Sequence, residues 1–200
     1  LLGEPDHRVH VGVVVHHADE DHGVVFVGMM DYHANVDAVV WFAEEVLPLL
    51  RARRSGIAFD VVGARPTSAV QRLGRLEGVR VTGRVEDVRP FLWDAAVAVV
   101  PLRIAQGTQN KVLEAMAASV PVVATPFAVR GTGQPEGPHV RVAGDAPTFA
   151  RSIQELLDDP EGARRQVEHG LAMVRQHHSW ERSAQRLARL LEEAAGSRRS

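Results

Sequence analysis

From residue 24 onward, short apolar runs alternate with helical stripes. Residues 24–28 form an apolar run closed by glycine and predict a buried strand. Residues 35–53 predict a helix, because Val36, Val39, Val40, Ala43, Val46, Leu47 and Leu50 recur at three- and four-residue spacing. Pro48 lies inside that stripe and predicts a kink, since proline lacks an amide proton and crowds the preceding turn. A second strand is expected over 57–63, a helix opening on proline over 66–75, and a short strand over 79–82. Residues 87–94 read as a short helix with an acidic first turn. A fourth strand over 97–101 leads into a helix over 108–118, and a fifth strand spans 121–125. A sixth strand is expected over 140–143. Residues 146–157 are amphipathic through Phe149, Ile153, Leu156 and Leu157. Closing helices are expected over 161–176 and 181–195.

Strands that alternate with helices predict a parallel sheet covered on both faces. Right-handed crossovers leave few arrangements, and the doubly wound order 3-2-1-4-5-6 is expected. The fold class is thus α/β, with a Rossmann-like parallel sheet of about six strands. Residues 24–195 read as one domain, and 196–200 as a frayed tail. Residues 1–23 read as an irregular segment, a linker between domains. That segment holds His7, His10, His16, His17 and His22 beside Asp19, Glu20 and Asp21, but their spacing fits no metal-ligand pattern.

Composition narrows the function. The chain has 200 residues, 45% apolar and 24% charged, enough to bury roughly 70% of its unfolded surface. A net charge of −2 gives no bulk case for nucleic-acid binding. With no cysteine, disulfides, thiolate metal sites and thiol catalysis are excluded. No apolar run approaches the ~18 residues that span a bilayer. Residues 1–15 lack the pattern of a signal peptide, so a cytoplasmic location is expected. Because residue 1 is leucine, a piece of a longer protein is expected. Lys111 is the only lysine among 23 basic residues. An ammonium is a compact point charge that guanidinium does not copy.

In an open parallel sheet the ligand lies beyond the carboxyl ends of the strands, where the strand order reverses. That singles out Gly28 to Asn35 after the first strand and Pro101 to Thr108 after the fourth. The second segment runs into a helix whose free N–H groups and dipole suit phosphate. Gly107 permits close backbone approach and Thr108 is expected to cap the helix. Lys111 and Glu114, three apart, share a helical face. The pair reads as a phosphate-binding cation beside a carboxylate that accepts hydrogen bonds from ribose. No dinucleotide fingerprint, P-loop or nucleophile elbow occurs. Gly131-Thr132-Gly133 reads as a flexible turn.

The run from Lys111 through Glu114, Ser119 and Pro121 to Thr125 resembles the signature of family-four glycosyltransferases (glycosyltransferases group 1) of the GT-B fold. Val25 to Gly28 with Asn35-Val36-Asp37 resembles the opening of their donor domain. Phe59 to Gly63 resembles its second strand, Val81 to Val88 the loop that meets the nucleobase, and Ser179-Trp180-Glu181 the turn before the last helix. The likeness covers about residues 24–191 and is nearest to bacterial exopolysaccharide-associated sugar transferases.

That resemblance implies the C-terminal half of a GT-B fold, the donor-binding half of a nucleotide-sugar-dependent transferase, retaining and metal-free. It implies that Glu114 holds the ribose, that Gly107 and Thr108 present amides to the diphosphate, and that Arg84 and Val85 lie at the nucleobase. Gly28 and Asn35 belong to the loop after the first strand. Gln106 stands where the family's first acidic residue is usual and would hydrogen-bond the donor sugar without charge. The family's basic residues after the first strand are replaced here by Met29, Asp31, His33 and Asn35, so Arg103 and Lys111 are expected to supply positive charge to the diphosphate. Ser119 stands where glycine is usual. No catalytic residue is assigned within this half, and no cofactor. The acceptor, a glycan or lipid-linked sugar, would bind a preceding domain, with the full-length protein peripheral to the inner membrane. Two alternatives stand beside this reading: a non-catalytic nucleotide-sugar-binding domain, favoured by Gln106, and a nucleotide-sugar epimerase of the same fold.

Overall fold

The computed structural model describes residues 23–104, 107–133 and 136–178. The expected strands over 24–28, 57–63, 79–82, 97–101, 121–125 and 140–143 appear as β1 (Val24–Val27), β2 (Phe59–Val62), β3 (Val79–Gly83), β4 (Val97–Val100), β5 (Val122–Ala124) and β6 (Arg141–Val142). All pair in parallel. They form one six-stranded sheet in the order β3-β2-β1-β4-β5-β6, as the alternating pattern predicts. Every residue of β4 and β5 is buried, as expected for strands covered on both faces.

The helices are α1 (His33–Trp41), α2 (Leu47–Arg51), α3 (Ser68–Leu73), α4 (Arg89–Trp93), α5 (Asn110–Ala117), α6 (Pro126–Val129), α7 (Ala146–Asp158) and α8 (Pro160–His177). The expected kink at Pro48 takes a specific form. Between α1 and α2 the chain makes a π-helical turn over Phe42–Val46. Proline donates no amide hydrogen bond and its ring would collide with the carbonyl four residues back, here that of Glu44. A wider turn just before Pro48 removes that conflict. It also turns Phe42 onto the core, where its ring lies 4.4 Å from that of Phe59 and 6.0 Å from that of Phe149. Trp41 meets Phe149 edge-on at 5.8 Å.

Several boundaries differ from expectation because local side-chain chemistry decides them. The helix expected over 66–75 begins after Thr67, whose hydroxyl accepts from the Val70 amide at 3.4 Å, so Pro66 lies outside it. The helix expected over 87–94 starts at Arg89, and Asp87 precedes it, accepting from the Arg89 amide at 2.9 Å. The helix expected over 108–118 begins at Asn110 with Gln109 as its N-cap. Thr108 does not cap it; its hydroxyl donates to the Gly131 carbonyl at 2.8 Å. The expected flexible turn at Gly131-Thr132-Gly133 follows α6 as a 3₁₀ turn over Arg130–Thr132, with Thr132 buried. Its Gly131 packs so closely that an added Cβ would overlap the Gly107 carbonyl. The histidine-rich segment, Gln106 and the helix expected over 181–195 lie outside the described residues.

Candidate functional site

β1 pairs with β2 on one side and β4 on the other, so the strand order reverses between β1 and β4. Beyond their carboxyl ends lies an open cleft of about 620 Å³. Three chain segments build it. The loop after β1 contributes Gly28, Met29, Asp31 and Tyr32, with Asn35 from the first turn of α1. The loop after β2 contributes Arg65, and the approach to α5 contributes Thr108, Asn110, Lys111 and Glu114.

α5 enters the cleft with no side-chain hydrogen bond from its N-cap residue. The Val112 amide donates to the Gln109 carbonyl at 3.0 Å, and the helix dipole at this end favours an anion. Lys111 and Glu114 both line the cleft, as their three-residue spacing predicts. Glu114 is exposed and Lys111 half-buried. The Lys111 ammonium reaches Gln109 Oε1 at 3.5 Å and lies 5.7 Å from the centre of the Phe26 ring. Burial pushes its pKa below the usual lysine value, and the nearby Glu114 carboxylate only partly opposes that. A half-buried cation whose charge the protein compensates incompletely is suited to receive an anion.

Asn35 is buried, and its Nδ2 donates to the Met29 carbonyl at 2.8 Å, fixing the turn after β1. Its Oδ1 is buried without a partner. Gly28 is needed beside it, because a Cβ there would press on the Asn35 amide.

The remaining sequence candidates fall around the cleft rather than in its lining. Arg103 pairs with Asp37 of α1, donating through Nε at 2.9 Å and through Nη2, and its guanidinium lies 5.9 Å from the Trp41 ring centre. The Asp37 hydrogen bond holds the Arg103 pKa above its usual value. Arg84 is exposed and Val85 is half-buried against the core, both in the loop after β3. Gly107 has φ +68°, a left-handed conformation that glycine adopts without strain, and contacts the turn at Gly131. Among the described residues no cluster of three or more histidines and carboxylates could hold a metal ion.

Sequence reading missed Arg65 as a cleft residue. It sits at the end of Gly63-Ala64-Arg65-Pro66, beyond β2, one strand away from the reversal point. A cation directly before proline and two residues after a glycine, at the carboxyl end of a strand, was the available signal. Its Nε lies 2.8 Å from Asp31 Oδ2, in an ion pair. Gly63 at φ +151° carries the backbone here so close to β1 that a Cβ would overlap the Gly28 carbonyl.

A family profile described as glycosyl transferases group 1 matches residues 21–159. No curated protein sequence matches the chain. Among solved structures, the chain is similar to a glycosyltransferase from Rickettsia africae, with a TM-score of 0.72 and 16% identity over 86% of this chain and 47% of that one. It is similar to the C-terminal domain of a glycosyl transferase group 1 family protein from Francisella tularensis, with a TM-score of 0.64 and 14% identity over 80% of this chain and 87% of that domain. It is also similar to Anabaena HepE, solved in complex with UDP, with a TM-score of 0.67 and 15% identity over 86% of this chain and 49% of that one. Identities this low show the fold alone. The chain spans about half the length of the Rickettsia and Anabaena proteins.

Proposed function

The chain belongs to the glycosyl transferases group 1 family, and from that premise we propose that it is the donor-binding half of a transferase that moves a sugar from a nucleotide-sugar donor to a glycan or lipid-linked acceptor. The observation that carries this reading is Lys111. It is the chain's one lysine, half-buried in the uncapped first turn of α5 and facing the cleft where the strand order reverses. In the proposed reaction an acceptor hydroxyl attacks the anomeric carbon with retention of configuration, and the nucleoside diphosphate leaves. Lys111 and the α5 terminus stabilise the negative charge that builds on the leaving diphosphate, an electrostatic contribution that often dominates such catalysis. Glu114 accepts hydrogen bonds from the ribose hydroxyls. Gln106 hydrogen-bonds the donor sugar, and the loop bearing Arg84 and Val85 meets the base. Charge neutralisation is assigned to side chains and the helix terminus, without a metal ion.

In this proposal a second domain supplies the acceptor site across the cleft, in a bacterial polysaccharide pathway on the cytoplasmic side of the membrane. Among the described residues no helix is long and apolar enough to cross a membrane. Calorimetry of the 200-residue chain against UDP, GDP and ADP tests the reading. Binding of at least one, with no sugar transfer by this chain alone, is expected. Binding of none, or efficient transfer to a glycan by this chain alone, overturns it. Sugar interconversion without an acceptor would favour the epimerase alternative instead.

A further inference from the structure

We infer that Arg65 is the second diphosphate-binding cation of the cleft, held in reserve by Asp31 until the ligand displaces that carboxylate. The inference rests on the proposed reading of the cleft as a nucleoside diphosphate site. It begins from charge. The charged side chains lining the cleft are Arg65, Lys111, Asp31 and Glu114, which sum to zero. A nucleoside diphosphate carries more negative charge than one ammonium neutralises. Arg103, expected for that task from the sequence, is held by Asp37 and does not line the cleft. Arg65 does, from the loop after β2, whereas Lys111 enters from α5.

The backbone at Arg65 fixes where that cation is presented. Its φ is +57°, one of two non-glycine residues in the left-handed region among those described. Such a conformation is costly for a residue with a Cβ, and arginine has no short polar side chain to offset it locally. Proline follows, which ordinarily confines the preceding residue to extended backbone. The ion pair with Asp31 does not explain why this strain persists. Its side chains are 67% and 40% exposed, and pairs that open to water contribute little to stability. Backbone hydrogen bonds, from the Met30 amide to the Ala64 carbonyl at 2.9 Å and from the Thr67 amide to the Met30 carbonyl at 3.3 Å, hold this turn instead, and they fix the guanidinium at the rim of the cleft where a ligand would meet it. The guanidinium, whose Nε lies 2.8 Å from Asp31 Oδ2, presents a planar fork that matches a phosphate. Binding is then an exchange of one oxyanion for another, with Asp31 released to solvent.

Glycine at position 65 separates binding from folding. Arg65→Gly removes the cation and also relieves the left-handed strain. We expect its melting temperature to rise, while affinity for whichever of UDP, GDP or ADP binds the unmodified chain best falls about ten- to a hundredfold, the usual loss for a charge-assisted hydrogen bond. Affinity for the matching nucleoside, followed by NMR titration, should stay unchanged. Arg65→Gln should show the same loss, and Arg65→Lys should recover part of it. If Arg65→Gly and Arg65→Gln bind the diphosphate as tightly as the unmodified chain while Lys111→Gln does not, Arg65 has no such role and the parent reading survives. If Arg65→Gly melts lower and loses nucleoside and diphosphate affinity alike, its role is structural and the inference is overturned. If the unmodified chain binds none of the three nucleotides, the parent reading fails and this one with it.

Discussion

The Lys111 ammonium lies 5.7 Å from the centre of the Phe26 ring, so the cleft's lysine rests against a fully buried residue of the central strand β1. The ring face attracts the cation, and Gln109 Oε1 sits 3.5 Å away. Neither partner cancels the cost of burial, as the lowered pKa records. Lys111 is thus a half-buried cation at a helix N-terminus, with Glu114 as its charged neighbour.

Lys111→Gln should weaken nucleoside diphosphate binding about tenfold or more while leaving nucleoside binding unchanged. Lys111→Arg should recover only part, because the guanidinium fork differs in shape from an ammonium. Thermal stability of Lys111→Gln should not fall, since the charge it removes is one that burial disfavours. Isothermal titration and a melting curve on each variant check both statements.

The lowered Lys111 pKa sets a sign for pH dependence. Its folded pKa lies below its unfolded one, so charging Lys111 penalises the fold at neutral pH. That penalty disappears as pH rises through the window between the lowered value and 10.5. Diphosphate affinity runs the other way, because the anion needs the charged form. We expect affinity to fall with alkaline pH below 10.5, and this step to be absent in Lys111→Arg. Calorimetric titrations from neutral to alkaline pH read it directly.

Glu114→Ala should weaken nucleotide binding by about 1.5–3 kcal/mol through lost charge-assisted hydrogen bonds to ribose. The side chain is exposed in the cleft, so the melting temperature should barely move. A 2′,3′-dideoxynucleoside diphosphate should bind unmodified and variant chains equally.

Ser119 ends α5 at φ +62° and leaves its buried Oγ without a partner. This is the left-handed position after a helix where glycine is favoured. Ser119→Gly should therefore stabilise the chain by about 1 kcal/mol. A denaturant melt should show a higher midpoint with an unchanged slope.

Gly63→Ala should be among the most damaging single changes near the cleft. It combines a left-handed φ with overlap between the new Cβ and the Gly28 carbonyl, so the loops after β1 and β2 must separate. A loss of about 3 kcal/mol is expected from backbone strain and overpacking together. Nucleotide affinity should fall too, because Gly28 and Arg65 lose their spacing. Chemical denaturation and calorimetry of the variant test the two effects separately.

Much of this architecture is local and periodic, and so it was readable from residue order. Apolar runs of four or five residues alternating with helical stripes determine a parallel sheet. The handedness of crossovers then leaves few strand orders, and the strand order determines where the cleft lies. Lys111 and Glu114 were legible because three-residue spacing on a helix sets a shared face whatever surrounds it. Other features depended on partners far apart in the chain. Asp37 and Arg103 are 66 positions apart, and only the packing of α1 beside the β4 loop pairs that arginine with the carboxylate. Thr108 could cap a helix or tie two loops, and the nearness of Gly131 decides for the second. Arg65 carries no periodic signal. Its left-handed backbone and its partner Asp31 exist only once β1 and β2 lie side by side. Periodicity determines which elements form and in what order, whereas the balance of charge in a cleft depends on distances between loops, which only the folded chain sets.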